Sequence, residues 1–291
     1  MLDKILAFIM TIVTALGSFF GIGAYSTDYT VYSDVVYSDA SERNILDIYI
    51  PQAAYERKEN GFILFIHGGS WTSGNKEDKA AMCIEAASKG YVAATMSYTL
   101  RSGKAAENYT VDTVLDEISL AILKVKKFAA EKGIKITKVA PSGYSAGGHL
   151  AMLYSYSRAD ECPVEIAFTA NRVGPSDFST EAWGNSGLSL ARSLAGKELS
   201  TKLSDDEVVA YVSPVSYVTK NSVPSLFAYG GLDVIVPAGN RESILNAFDK
   251  AGAEYDFVFY PLNGHGLKVN LITPAARKYS AKLFEYCEKY F

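Results

Sequence analysis

The segment Gly143-Tyr144-Ser145-Ala146-Gly147 sets a serine between glycines two places away on either side. A serine hydroxyl is a weak nucleophile until a base takes its proton and a rigid turn fixes its approach. A sharp strand-to-helix turn supplies the rigidity, with the serine backbone strained to positive φ. Side chains two residues to either side would collide across such a turn, and glycine has no Cβ to collide. The following residues, Gly148-His149-Leu150-Ala151-Met152-Leu153, read as a helix whose N-terminus favours developing negative charge. The chemistry expected of Ser145 is attack on a carbonyl carbon.

Such a serine needs a base, and the chain has three histidines. His149 lies four residues beyond Ser145 on the same helix and should point away from any cleft. His67 precedes the serine and is assigned to scaffolding. That leaves His265, in the glycine-framed loop Asn263-Gly264-His265-Gly266. Asp233, in Gly230-Gly231-Leu232-Asp233-Val234-Ile235-Val236-Pro237, follows a predicted strand and is expected to orient the imidazole and stabilise its charged form. The second glycine-rich segment is His67-Gly68-Gly69-Ser70-Trp71. Glycines let backbone N–H groups approach an oxyanion closely. The expected donors are the amides of Gly69 and Ala146, with Gly68 and Ser70 beside them. Trp71 is expected to pack the loop.

Chemistry of this kind needs a scaffold that brings residues 67, 145, 233 and 265 together. The run 61–66 is continuously apolar, as in a strand buried on both faces. Further strands are predicted at 31–37, 45–50, 91–98, 136–142, 166–171, 226–229 and 255–260, and helices at 76–89, 110–132, from 146, at 236–251 and at 273–288. Strands alternating with helices imply βαβ units and an α/β fold, with a mostly parallel central sheet and helices on both faces. Pro141 is unusual in the strand leading to the serine, because it lacks an N–H, and is expected to mark a place where pairing stops. The stretch 174–212 is longer than an ordinary crossover. It reads as a small lid-like insertion, or as a crossover helix with a loop.

With these motifs in view, the chain resembles the α/β-hydrolase superfamily, and within it the esterases with an H-G-G-x-W oxyanion motif. It is similar to the acetyl-esterase and feruloyl-esterase-like group, and more distantly to kynurenine formamidase. The resemblance covers the chain from about residue 31 onward. It rests on His67 to Trp71, Gly143 to Gly147, Asp233 and His265, in the chain order Ser, Asp, His of that fold. The segments Ser97-Tyr98-Thr99-Leu100 and Val173-Gly174-Pro175-Ser176-Asp177 also resemble family segments, without a catalytic role carried over. The resemblance implies a serine hydrolase of small or medium carboxylic esters, acyl groups on carbohydrates among them, with no metal or organic cofactor. An arylformamidase on the same machinery is the alternative. A hydrolase fold used only for binding is a third reading, disfavoured because every expected catalytic residue is present.

A formal net charge of −4 gives no footprint for nucleic acid. The chain of 291 residues suits one domain at 28–291, preceded by a hydrophobic segment at 1–27. Residues 5–24 carry no charged side chain and are mostly apolar, long enough to span a bilayer. They read as a cleaved export signal, with Gly21, Gly23 and Ala24 as a small-residue cleavage site, or as an uncleaved membrane tether. A buried helix is the remaining reading. The first two place the enzyme outside the cytoplasm, secreted or anchored. Cys83, Cys162 and Cys287 form no metal-binding spacing, and their odd number argues against a disulfide framework.

Overall fold

The computed structural model describes residues 27–103, 109–267 and 274–291. The apolar segment 5–24 lies outside them. Among the described residues, nine strands form one sheet. Its centre is β3 (Asn60–Ile66), the apolar run, buried along its whole length. It pairs in parallel with β4 (Val92–Met96) on one side and β5 (Ile136–Tyr144) on the other. Beyond β5 the sheet continues in parallel through β7 (Thr169–Arg172), β8 (Ser225–Gly230) and β9 (Tyr255–Tyr260). On the opposite flank β2 (Ile45–Pro51) joins β4 antiparallel, and β1 (Tyr29–Val36) joins β2 antiparallel. Tyr29 stands opposite Pro51, at the end of the sheet where the parallel strands begin. The sheet is therefore mostly parallel, as the alternation of strands and helices predicts.

Period-two alternation divides β3 between two cores. Phe62, Leu64 and Ile66 face Ile118, Ile122 and Val125 of helix α2 (Val111–Ala130). Ile63 and Phe65 face Cys83 of α1 (Ala80–Ser88) and Leu283 and Cys287 of the last helix (Pro274–Tyr290). Each such aliphatic side chain contributes about 1.5–3 kcal/mol on full burial. Cys83 and Cys287 are buried among these groups, and all three cysteines are free. Helix α2 starts where the Thr110 hydroxyl accepts from the Thr113 amide, and it ends before Gly133 at φ 79°.

Pro141 sits at a seam. On one side it still pairs with Leu64 of β3. On the other, the short strand β6 (Glu165–Ile166) pairs only as far as Val139, and β7 takes over at Ser142. The Pro141 carbonyl at this gap accepts from the Thr169 hydroxyl at 3.0 Å. Pairing lapses on one edge only, where an N–H would have had no partner strand.

The helix after Ser145 is α3 (Ala146–Ser157). The stretch 174–212 is helical through most of its length: α4 (Thr180–Trp183), α5 (Gly187–Ala195), α6 (Lys197–Lys202) and α7 (Asp205–Val212). Leu194, Val208 and Val212 join the core beside α2 and α3. Ser204 caps α7 in a box with Glu207, an N-terminus signal readable in Ser204-Asp205-Asp206-Glu207. The remaining helices are α8 (Ala238–Ala251) and α9, the last helix.

Candidate active site

The four sequence segments meet at the carboxyl ends of the parallel strands, the usual place for a site in such a sheet. Ser145 follows β5 directly and forms the N-terminal boundary of α3, with φ 54° and ψ −124°. That backbone is sterically costly for a residue with a Cβ. It is held by a hydrogen bond from the Ser145 amide to the Arg172 carbonyl, 2.9 Å, at the end of β7. The glycines on either side are required. A Cβ on Gly143 would lie 2.0 Å from the Gly147 carbonyl oxygen, and one on Gly147 would lie 2.2 Å from that of Ile66.

His265 Nε2 lies 2.8 Å from Ser145 Oγ, and its Nδ1 lies 2.8 Å from Asp233 Oδ2. A carboxylate can only accept, so Nδ1 carries the proton and Nε2 is free to accept from the serine hydroxyl. The second oxygen of Asp233 accepts from the amides of Ile235 and Val236, at 2.9 and 3.0 Å. Burial works to raise the Asp233 pKa. The hydrogen bonds from His265 and the two amides outweigh it and hold the carboxyl below its ordinary value. The aspartate is thereby kept ionised and fixed in direction.

The loop 67–74 comes up beside this line. A Cβ on Gly68 would fall 3.1 Å from that of Ser145, so this backbone lies against the nucleophile. Gly69 has φ 113°, Ser70 54° and Trp71 61°. The loop closes on itself as Thr72 and Ser73 donate their amides to the Gly69 carbonyl. Among the described residues, the amides of Gly68, Gly69, Ser70 and Ala146 donate no hydrogen bond within the protein. Such amides can receive an oxyanion.

The other two histidines brace the loop. His67 is buried, stacks on Tyr98 at 4.2 Å and donates from Nδ1 to the Gly68 carbonyl. Tyr98 in turn donates to the His67 carbonyl, and Arg43 ties the Tyr98 and Gly74 carbonyls together. His149 donates from Nε2 to the Val212 carbonyl and accepts at Nδ1 from Trp71 Nε1, 3.2 Å away. Trp71 is therefore a buried peg, also packed against Phe178. Burial pushes both histidines down to about 4. Neither imidazole is bonded to Ser145: His67 lies beneath the loop, and His149 faces inward against Trp71.

Sequence reasoning passed over Tyr144. Its hydroxyl donates to the His265 carbonyl at 3.3 Å, and its ring lies 5.5 Å from the imidazole. An aromatic residue directly before the serine is the signal that pointed there. Leu232, Val234, Ile235 and Leu262 stand exposed on the loops that carry Asp233 and His265. Among the described residues, no group of three His, Cys, Asp or Glu side chains is placed to hold a metal ion.

Known proteins share this architecture. The "Probable carboxylic ester hydrolase LipM" of Mycobacterium tuberculosis is 26% identical over 222 residues, 72% of this chain and 50% of its own length. The chain thus spans about half the length of the curated relatives it matches. An inhibited esterase B from Lactobacillus rhamnosis superposes with a TM-score of 0.73 at 18% identity, over 99% of this chain and 96% of its own. A truncated carbohydrate esterase from gut microbiota gives 0.69 at 21% identity, over 90% of this chain and 99% of its own. The structural likenesses establish the α/β-hydrolase fold. The BD-FAE family model matches residues 46–247, and the chain belongs to that family of α/β-hydrolase esterases.

Proposed function

We propose that the chain is a serine hydrolase of small or medium carboxylic esters, working through an acyl-enzyme. The observation that carries this reading is the unbroken hydrogen-bonded line from Ser145 through His265 to Asp233. His265 Nε2 takes the hydroxyl proton as Ser145 Oγ attacks the ester carbonyl carbon. The amides of Gly69 and Ala146, with Gly68 and Ser70 beside them, stabilise the oxyanion; each such donor is typically worth about 3–4 kcal/mol of barrier. The C–O bond to the alcohol breaks, and His265 returns the proton to the departing oxygen. Water then repeats the sequence on the acyl-enzyme, deprotonated by His265 and releasing the acid. Asp233 holds the Nδ1–H tautomer and stabilises the imidazolium.

The apolar rim at Leu232, Val234, Ile235 and Leu262 supports an ester with apolar bulk near the reacting carbonyl. Likeness to a carbohydrate esterase supports sugars as carriers of the acyl group. Export, secreted or tethered through residues 5–24, is part of the same proposal and is supported by the uncharged apolar run there.

A p-nitrophenyl ester series from acetate upward tests the reaction. Turnover should fall by a factor on the order of 10⁶ in Ser145→Ala. A folded wild-type protein inactive on the whole series but active on formyl amides would replace this reading with an amide hydrolase.

A further inference from the structure

Arg172 and Lys79 are two cations that no carboxylate meets at ion-pairing distance among the described residues, although the Asp78 charge reaches Lys79 from further off. The Lys79 ammonium lies 4.5 Å from the centre of the Tyr144 ring, and the Arg172 guanidinium lies 5.7 Å from that same centre. Arg172 also lies 5.3 Å from the Tyr279 ring. Among the described residues its side chain makes one weak hydrogen bond, to the Met82 sulfur at 3.9 Å, and its buried Nε has no partner. Among the described residues neither cation is in an ion pair. Asp78, next to Lys79, is turned to the Asn75 amide.

Both cations line a small cavity of about 10 Å³, together with Phe65, Met82, Ser142, Gly143 and Tyr144. A cavity of about that size admits one water-sized particle. Two positive charges sharing a ring in a partly dry environment repel each other, and cation–π contact offsets this only in part. A water molecule would satisfy the Arg172 Nε and leave both charges uncompensated.

We propose that Lys79 and Arg172 hold one small monovalent anion, of chloride size, in this cavity. Burial and the Arg172 charge push the Lys79 pKa down to about 8, a strain that a bound anion relieves. The anion would lie against Tyr144, whose hydroxyl ties down the loop carrying His265. It would therefore help order that loop without touching substrate. The proposal does not depend on the acyl-transfer reading.

The test is the thermal midpoint of the full chain in sodium chloride and in sodium gluconate at equal ionic strength, gluconate being too large for the cavity. Chloride should raise Tm saturably over gluconate by about 2–4 °C, and bromide should replace it. Lys79→Gln, which removes the charge and keeps most of the side chain's length, should remove the difference, and a bromide-grown crystal should show an anomalous peak between residues 79 and 172. Equal midpoints in chloride and gluconate overturn the proposal, as does a chloride effect that persists in Lys79→Gln.

Discussion

At Asp233 one carboxylate oxygen faces His265 and the other is taken by two backbone amides. Asp233→Asn would keep the shape but can present an N–H where Nδ1–H now donates, favouring the wrong tautomer. A loss of about 10⁴ in kcat with little change in KM is expected, measured by steady-state kinetics on the best ester. Trp71 offers a contrast. Trp71→Phe removes the only donor to His149 Nδ1 among the described residues, leaving a buried acceptor unpaired at a cost of about 1–3 kcal/mol. Urea midpoints should shift accordingly, and kcat should change far less than with Asp233→Asn. An equal loss of kcat in both variants would mean that Trp71 does more than pack.

At the scale of elements, the turn from β5 to α3 depends on what is missing at Gly147. Gly147→Ala would press a methyl into the Ile66 and His67 carbonyls, at 2.2 and 2.4 Å. Overpacking of this kind typically costs about 1–3 kcal/mol, and here it would displace the loop beside the serine as well. Stability and kcat should fall together, and a variant with lowered Tm but intact kcat would show that the turn can shift without disturbing the site. This element was legible in the sequence because its physics is local: a strained serine, two absent Cβ atoms, a strand before and a helix after. The central strands were legible because Gly61 to Ile66 of β3 form an unbroken apolar run. The helices of 174–212 were not, since α4 and α6 are short and α4 is held from α8, where the Asn240 side chain donates to the Ala182 carbonyl. Strand β6 was not legible as separate from β7, because the break between them at residues 167–168 lies inside one apolar run. Lys79 and Arg172 were likewise hidden, being close to each other only in space.

The molecule as a whole carries a pH dependence from its buried histidines. His67 and His149 are held neutral, with pKa values pushed from 6.5 down to about 4. The unfolded chain binds protons at these positions before the folded chain does. Their contribution to stability is therefore complete above pH 6.5 and is lost as pH falls toward 4, by about 3 kcal/mol for each histidine. Denaturant midpoints followed from pH 7 to pH 4 should fall steeply below 6.5. In a variant with His149 replaced by Gln the slope should be shallower, and an unchanged slope would remove His149 from the account.

The place of β1 in the sheet bears on which way the proposed site would face. Tyr29 enters the sheet where the parallel strands begin, and Ser145, Asp233 and His265 gather where they end. The strand lengths between amount to about 20 Å. A tether through residues 5–24 would hold the body like a flower on a stem, its mouth turned outward and its back to the lipid. Such an enzyme would graze on esters arriving from outside, on polymers or small solutes, and would be a poor scavenger of the bilayer that carries it. Tethered protein should then cleave a soluble polymer-borne ester as fast as the freed domain does, and leave esters embedded in its own vesicle nearly untouched.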